Sequence, residues 1–273
     1  MNGAMSLLKT LTNNGVEVCF TNPGTSEMHM VAAIGQTGEM RSILSLFEGV
    51  CTGAADGYGR IAGKPACTLL HLGPGLSNGS ANLHNARKAN SPVINLIGDH
   101  ATYHKKYDAP LNSDVIGLAK PVSHWVRSVA DAVSLPGDAA DAVVAANIKP
   151  GQIATLIVPA DCAWDESVDP IGQRAMPLAP LVNADSITKA AEMLGNGKPT
   201  VILMSNLALT EQSLRFADQV AQHSNARLFC DTFTSRLPRG EGRCSVERLA
   251  YFAEQATLQI AHAEQLITVG TKA

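Results

Sequence analysis

One acidic residue, Glu48, stands alone in a largely apolar stretch. No other charged residue occurs between Arg41 and Asp56, and Glu48 falls where an apolar strand is expected to change into a helix. Two interpretations follow from this position. A carboxylate at a helix N-terminus is stabilised because it faces the positive end of the helix dipole. A partly buried acid with a raised pKa could instead hold a proton for catalysis.

Two other features have ordinary structural explanations beside chemical ones. Asp56 and Arg60 lie four residues apart on one predicted helix, a spacing typical of an ion pair. His71 ends the third predicted strand, where a lone histidine is usually structural, although an imidazole there could also relay a proton. The remaining histidines show no ligand spacing with carboxylates, and we predict no metal site in this chain.

The glycine-rich segment 73–79 (GPGLSNG) admits three interpretations. It fails as a dinucleotide-binding fingerprint, because Asn78 stands where that pattern requires its third glycine. It matches the G-x-S-x-G pattern of a serine hydrolase around Ser77, although a nucleophilic serine belongs in the strand-to-helix turn itself and residues 73–75 intervene. The third interpretation is a loop whose small residues let the backbone approach a flat ligand.

The elements that carry these residues alternate between strand and helix. We predict early strands at 16–20, 42–47, 66–72, 93–97 and 153–158, with helices between them. Continuous apolar strands separated by helices are typical of an α/β fold with a parallel sheet covered on both faces. Ligands of such sheets bind beyond the carboxyl ends of the strands, where residues 22–25, Glu48 and the segment 73–79 fall.

The domain organisation follows from a change in composition. Residues 164–183, rich in Pro and Asp, are predicted to link a first domain, 1–163, to a second α/β domain, 184–273. In the second domain we predict strands at 200–204, 227–230 and 265–269. The chain stops four residues after the last of these strands, and we therefore expect the second domain to be incomplete.

Composition excludes several classes of protein. Of 273 residues, 45% are apolar and only 16% are charged, which excludes disorder as the main state. A net charge of −3 leaves no broad basic surface for nucleic acid. The N-terminus is typical of an amphipathic helix rather than a signal peptide, and we predict no membrane segment. The six cysteines fit no zinc pattern, and we expect a reduced, cytoplasmic protein.

Several motifs in order resemble the pyrimidine-binding domain of thiamine-diphosphate enzymes of the acetolactate synthase and benzoylformate decarboxylase type. The matching segments are Gly15-Val16, Asn22-Pro23-Gly24, Phe47-Glu48, Ala54 to Arg60, Gly63-Lys64-Pro65, Gly73-Pro74-Gly75, Asn78, Ser91-Pro92-Val93 and Gly98. They lie within residues 1–163. The region from about 184 resembles the start of the central, Rossmann-like domain of the same enzymes.

The resemblance implies roles for individual residues. Glu48 would hydrogen-bond the N1′ nitrogen of the aminopyrimidine of thiamine diphosphate and favour its imino tautomer, which activates the cofactor. His71 would act as a catalytic proton relay, as in the benzoylformate decarboxylase branch. The cofactor-binding residues implied by the match are Pro23, Gly24, Thr25, Glu48, Pro74 and Asn78. Residues 73–78 resemble the synthase branch instead, and Gly98-Asp99-His100 departs from the Gly-Gln common to both branches.

The resemblance also implies an activity. The chain would be the N-terminal portion of an enzyme that decarboxylates a 2-oxo acid, with an acetolactate synthase-like carboligase favoured and a benzoylformate decarboxylase-like enzyme as the alternative. A serine hydrolase using Ser77 and a catalytically silent binding module are the hypotheses from other classes.

Parts of that enzyme would have to come from outside this sequence. The resemblance implies Mg²⁺ held by a C-terminal domain with a Gly-Asp-Gly motif, which this sequence lacks. FAD is a further cofactor of acetolactate synthases, but residues 200–209 contain no glycine-rich phosphate loop to support it. We expect a homodimer or homotetramer formed through the pyrimidine-binding domain, and we expect this chain alone to be inactive.

Overall fold

The computed structural model describes residues 1–271 and divides into two compact units, Met1–Ala179 and the residues from Pro180 onward. The first unit contains six strands: β1 Val18–Asn22, β2 Arg41–Leu44, β3 Ala66–His71, β4 Val93–Asp99, β5 Trp125–Ser128 and β6 Ile153–Pro159. Its helices are α1 Gly3–Asn13, α2 Met28–Thr37, α3 Glu48–Ala62, α4 Leu72–Lys88, α5 Val115–Ala119, α6 Leu135–Asn147 and α7 Ala160–Trp164. Short 3-10 helices lie at Thr25–Glu27 and Lys105–Tyr107.

The six strands form one parallel sheet in the order β2-β1-β3-β4-β6-β5. The central strands β3, β4 and β6 are buried almost throughout, which explains their continuous apolar sequences. One apolar cluster packs α1, α2 and α6 against one face of the sheet. A second cluster packs α3, α4 and α5 against the other face. The predicted α/β fold, a parallel sheet covered on both faces, is therefore confirmed.

Buried polar side chains cross the middle of this sheet. The Thr68 hydroxyl on β3 donates to the Asn95 side-chain oxygen on β4, and the Asn95 amide donates to the Thr155 hydroxyl on β6. The Ser123 hydroxyl extends this series of hydrogen bonds, with its Oγ 2.7 Å from Thr155 Oγ1. Because unpaired polar groups are costly in the interior, these bonds favour one alignment of the three strands.

The segment predicted as a linker, 164–183, begins against α1. The Ser6 hydroxyl donates to the carbonyl of Val168, and the backbone N–H of Ile171 donates to the hydroxyl of Thr10. The Asn14 side chain accepts from the N–H of Arg174 at 2.8 Å. Residues 165–174 are thus tied to the first unit by hydrogen bonds spanning about 160 positions in the sequence.

The second unit has its own small parallel sheet. Its elements are α8 Ala184–Gly195, β7 Thr200–Met204, α9 Glu211–Ser224, β8 Arg227–Cys230, β9 Glu247–Arg248, α10 Ala253–Ile260 and β10 Gln265–Val269. The strand order is β10-β7-β8-β9, and every pairing is parallel. A separate apolar cluster under α9 forms its core.

Two local predictions were wrong. β2 ends at Leu44 rather than residue 47, because it is a sheet edge and the chain leaves it before the helix starts at Glu48. The segment 73–79 is not a loop: α4 begins at Leu72 and contains all of it. Proline is tolerated in a first helical turn, where its missing N–H would have no helical partner.

Candidate functional site

The functional candidates gather at one edge of the first sheet. All six strands are parallel, so the carboxyl ends of the neighbours β2, β1, β3 and β4 meet along that edge. Residues 23–27 follow β1, Glu48 opens the helix after β2, and His71 is the last residue of β3. The topology therefore brings together residues that are up to 48 positions apart in the sequence, in the place where parallel sheets bind ligands.

Glu48 is paired with an amide from the next helix. The Asn78 side-chain N–H, in the second turn of α4, donates to Glu48 Oε2 at 3.0 Å. Glu48 is half-buried in the first turn of α3, where the helix dipole also favours a carboxylate. A side chain at Gly75 would lie 3.6 Å from Glu48 Oε1, so glycine keeps that side of the carboxylate open.

Close packing of α3 on α4 holds this pair in place. The buried Thr52 hydroxyl donates to the carbonyl of Gly79 at 2.9 Å. The Asn82 amide donates to the carbonyl of Gly49 at 2.7 Å. A methyl group added to Gly79 would lie 2.9 Å from the Thr52 side chain, so this glycine permits the close approach of the helices.

A second acid, Glu27, lies beneath the same edge and is fully buried. Its Oε2 accepts from the backbone N–H of Gly24 at 2.7 Å and lies 2.7 Å from His71 Nδ1. Among the residues that the structure describes, Glu27 Oε1 has no hydrogen-bond partner. Burial raises the pKa of Glu27, because it disfavours the charged form by more than the Gly24 N–H and His71 favour it.

Two glycines shape the space around this pair. A side chain at Gly24 would collide with the imidazole ring of His71. A side chain at Gly98, on β4, would collide with Glu27 Oε1. Glycine at both positions is what allows a carboxyl group and an imidazole to fit between β1, β3 and β4.

The turn after His71 is strained. Leu72 has a φ of 48° and is buried at the junction of β3 and α4. The left-handed region costs a residue with a Cβ about 1–2 kcal/mol. Residues in such conformations persist only where the surrounding structure enforces them, and they cluster at functional sites. A strained turn at the end of β3 is therefore what a functional site at this edge of the sheet predicts.

The structure divides the predicted site residues into two groups. Glu48 and Asn78 are in direct contact, and Gly24 lies against the ring of His71. No hydrogen bond joins the two groups within residues 1–271. The three other predicted residues are placed by the backbone alone: Pro23 follows β1, Thr25 opens the 3-10 helix, and Pro74 is in the first turn of α4. Both Thr25 and Pro74 are exposed.

Sequence reasoning missed Glu27. A usable signal existed, because no other Asp, Glu, Lys or Arg occurs between Glu17 and Glu39, the same isolation that singled out Glu48. The spacing Gly24-x-x-Glu27 also matches a capping box, in which the glutamate accepts from the backbone N–H three residues earlier. That explanation accounts for Oε2 but leaves the contact with His71 unexplained.

Other candidates have structural roles or lack partners for chemistry. Asp56 and Arg60 form the predicted i,i+4 ion pair, with the closest atoms 2.6 Å apart. Ser77 is exposed in the second turn of α4, and within the described chain its hydroxyl makes no hydrogen bond to a histidine or a carboxylate. The nucleophilic serine of a G-x-S-x-G hydrolase would occupy the strand-to-helix turn, and here Leu72 occupies that turn.

Residues 1–271 contain neither a cluster of metal ligands nor a helix able to span a membrane. This part of the chain contains no cluster of three or more His, Cys, Asp or Glu side chains arranged to hold a metal ion. None of its helices combines the length and the apolar character needed to cross a bilayer. All six cysteines are free thiols.

Comparison with known proteins gives consistent matches. Residues 1–125 match the family described as "Thiamine pyrophosphate enzyme, N-terminal TPP binding domain". A relative from Mycobacterium tuberculosis, named "Putative acetolactate synthase large subunit IlvX", is 49% identical over 272 residues, which cover 100% of this chain and 52% of the relative. A benzoylformate decarboxylase from Pseudomonas aeruginosa is 28% identical over 199 residues, covering 71% of this chain and 37% of that enzyme.

A solved structure shows the same fold. The thiamine diphosphate-dependent 4-hydroxybenzoylformate decarboxylase of Rhodococcus jostii matches with a TM-score of 0.88 at 21% identity, over 99% of this chain and 52% of that one. The chain thus spans about half the length of the Mycobacterium tuberculosis relative and of this structure.

Proposed function

This chain belongs, through its residues 1–125, to the thiamine pyrophosphate enzymes that share an N-terminal TPP-binding domain, and from that premise we propose that it supplies the pyrimidine-binding half of a thiamine diphosphate site. The enzyme that contains it decarboxylates a 2-oxo acid. The observation that carries this proposal is the pair Glu48–Asn78, with a carboxylate and an amide 3.0 Å apart at the carboxyl edge of a parallel sheet.

The residues present fit an aminopyrimidine. A carboxyl group and an amide offer both a donor and an acceptor, which complement the ring nitrogen and the amino group of that heterocycle. Gly75 leaves the side of Glu48 Oε1 open to a flat ring. The exposed positions of Pro74 and Asn78 are those expected for residues at the rim of a pocket.

Thiamine diphosphate, when bound, supplies the nucleophilic carbon and the electron sink for loss of CO₂ from the substrate. The residues of this chain position it and handle protons. Glu48 holds the proton shared with N1′ of the aminopyrimidine, a task suited to a carboxyl group in hydrogen-bond reach. Asn78 orients the Glu48 carboxylate, and the α3–α4 contact through Thr52 keeps both at a fixed separation.

The diphosphate half of the site lies outside the residues of this chain. No described cluster of side chains could hold Mg²⁺, and the matched relative of Mycobacterium tuberculosis is about twice as long. We propose that Mg²⁺ and the diphosphate are bound by other sequence, and that this chain alone binds thiamine diphosphate weakly and has no turnover.

Two activities fit the site, and we favour the carboligase. The 49% identity to a relative named as an acetolactate synthase subunit supports addition of the decarboxylated substrate to a second carbonyl compound. His71 supports the alternative, a simple decarboxylase, because an imidazole held by Glu27 at the site edge could deliver the proton that ends the reaction. The 28% identity to a benzoylformate decarboxylase agrees with this second candidate.

A second copy of the chain is the proposed partner. Four apolar side chains flank Glu48 on the exposed side of the β2–α3 junction: Leu44, Leu46, Phe47 and Val50. Leu46 is 96% and Leu44 71% exposed, which is costly for a protein that functions as a monomer. We propose that this surface is covered in a homodimer or homotetramer, in a compartment reducing enough to keep all six thiols free.

The test uses the protein purified from its native cells without dissociating it from any partner subunits. Release of CO₂ from pyruvate and from benzoylformate is measured with added thiamine diphosphate and Mg²⁺. Glu48→Gln should lower kcat by about 10²–10⁴, the usual contribution of general acid–base catalysis. Glu39→Gln, which changes an exposed glutamate that contacts only the Thr12 hydroxyl, serves as the control and should retain the wild-type rate.

The products decide between the activities. A new carbon–carbon bond identifies the carboligase, and an aldehyde alone identifies the decarboxylase. Wild-type turnover in Glu48→Gln would overturn the role of Glu48. A stable oligomer that neither binds thiamine diphosphate nor releases CO₂ would identify a silent binding module, and covalent labelling of Ser77 by a fluorophosphonate would identify a hydrolase.

A further inference from the structure

Glu27 is a titratable group in the interior of the first unit, in contact with His71. Its side chain is fully buried, yet only one of its two oxygens is hydrogen-bonded within the described chain. A cap for the 3-10 helix would need only the bond from Gly24 to Oε2. A glutamine would make that same bond without placing an acid in the interior, so capping does not explain why an acid is present.

The contact with His71 supplies an explanation. Glu27 Oε2 lies 2.7 Å from Nδ1, a distance at which either atom can carry the shared proton. Among residues 1–271, His71 on β3 is the titratable side chain that contacts Glu27. The elements on the other sides of Glu27 contribute Gly24 and Gly98, which carry no charge. Because burial disfavours the carboxylate, a neutral acid donating to a neutral imidazole is an accessible state of this pair.

The surroundings keep the pair in one geometry. Gly24 lies against the imidazole and Gly98 against Glu27 Oε1, at distances that exclude any side chain at either position. Leu72 fixes the backbone directly after His71 in a strained conformation. With Nδ1 engaged by Glu27, Nε2 is the ring nitrogen left for a reactant.

We propose that Glu27 is a positioning residue and proton reservoir for His71. This inference rests on the proposed function for the identity of the reactant. In one state Glu27 Oε2–H donates to Nδ1 and the ring carries its proton on Nε2. When Nε2 gives that proton to the reacting substrate, Nδ1 takes the proton of Oε2, and the pair is left as a carboxylate hydrogen-bonded to Nδ1–H. In the carboligase the proton goes to the alkoxide oxygen formed by addition to the second carbonyl compound, and in the simple decarboxylase it goes to the carbanion left by loss of CO₂. A proton from solvent then binds Nε2 and the Nδ1 proton returns to Glu27 Oε2, which restores the first state, so no other reactant is required.

The first test needs no cofactor or substrate. Infrared difference spectra of the full chain are recorded with ¹³C-labelled glutamate, and ¹⁵N NMR spectra with ring-labelled histidine. We expect a protonated carboxyl band that persists at pH values above the ordinary glutamate pKa of about 4.3. This band should be absent from Glu27→Gln and present in the control Glu39→Gln. We also expect the ¹⁵N shifts of His71 to show exchange between its two tautomers in the wild type and a single tautomer in Glu27→Gln.

A second variant guards against a folding failure of Glu27→Gln. His71→Asn removes the partner of Glu27 and should shift the same carboxyl band. A band that is missing from the wild type, or that neither substitution changes, would overturn the inference.

The second test uses the undissociated enzyme and its pH profile. Glu27→Gln should lower kcat about tenfold to a hundredfold, leave KM within twofold, and change the pH dependence of kcat. A residue that only caps a helix would leave the Gln variant with the wild-type pH profile. Wild-type enzyme that releases no CO₂ while the carboxyl band is present would overturn the proposed function and leave the Glu27–His71 pair standing. Turnover with an unchanged Gln variant would overturn the inference alone.

Discussion

Glu27 and Glu48 occupy comparable positions in the chain but differ in their burial and in the group with which each is paired. Each follows a strand of the same sheet and lies at the start of a helical segment. Glu48 follows the edge strand β2, is half-buried, and pairs with a neutral amide. Glu27 follows the inner strand β1, is fully buried, and pairs with an imidazole. The difference follows from the place of each strand in the sheet: neighbouring strands on both sides of β1 bury the acid that follows it, whereas the acid after the edge strand β2 stays half-buried.

The largest expected effect concerns the room around Glu27. Gly98→Ala places a methyl group against Oε1 of the fully buried Glu27, whose side chain has no free space to move into. We therefore expect the free energy of unfolding to fall by about 3 kcal/mol. Urea denaturation measures it. Gly57→Ala in α3 is the control: its new methyl group contacts nothing, and it should stabilise the protein by about 0.5–1 kcal/mol.

A double substitution isolates the cause. If the collision with Glu27 is responsible, Gly98→Ala combined with Glu27→Ala should lose much less stability than the sum of the two single changes. Additive losses would show that Gly98 is required for another reason.

The next effect is the pH dependence of stability. The pKa of Glu27 is raised in the folded state, so the folded protein binds a proton that the unfolded chain releases. Relative to Glu27→Gln, the wild type should be most stable below the ordinary glutamate pKa of about 4.3, and should lose up to about 1.4 kcal/mol per pH unit above it. The loss ends above the folded-state pKa. Parallel stability curves for the two proteins would contradict this prediction; repeating both in a His71→Asn background removes the titration of the partner.

A smaller effect is expected on the Glu48 side. Thr52→Val keeps the shape of the side chain but removes the bond to the carbonyl of Gly79, which should cost about 1 kcal/mol. Thermal unfolding measures the change. Thr37→Val, whose hydroxyl bonds only within its own helix, should stay within about 0.5 kcal/mol of the wild type. Equal losses in the two variants would argue against a specific α3–α4 contact.

The smallest effect on stability is expected at Asn78. This side chain is exposed, so Asn78→Ala should change the free energy of unfolding by less than about 0.5 kcal/mol. The enzyme rate should nevertheless fall about tenfold, since the amide that orients the Glu48 carboxylate is lost. Asn85→Ala, another exposed asparagine of α4, is the control for both measurements. A rate unchanged by Asn78→Ala would place the orientation of Glu48 in other residues.

Local patterns predicted much of the first unit. Continuous apolar runs located β3, β4 and β6, and the isolation of Glu48 placed it at the start of α3. The ion pair Asp56–Arg60 followed from helical spacing alone. These predictions are correct because each feature depends on interactions within one element or on the burial of a whole strand.

The remaining features depend on contacts between distant parts of the chain. Glu27 is buried because His71 on β3 and Gly98 on β4 pack against it. The residues next to Glu27 in the sequence do not predict these contacts with two other strands. The start of α4 at Leu72 is hidden by a sequence rich in Gly and Pro, which locally favours a loop. The roles predicted for Pro23, Thr25 and Pro74 are contacts with a ligand rather than contacts within the chain.

The fit between Gly98 and Glu27 limits how this protein can change over evolutionary time. A side chain at position 98 and an acid at position 27 cannot occupy the same space, so position 98 must stay glycine for as long as the acid is kept. Loss of Glu27 would release position 98 to accept larger residues, and each such change would then block the return of the acid. The two positions should therefore vary together among descendants of this sequence, and the loss of Glu27 should be difficult to reverse.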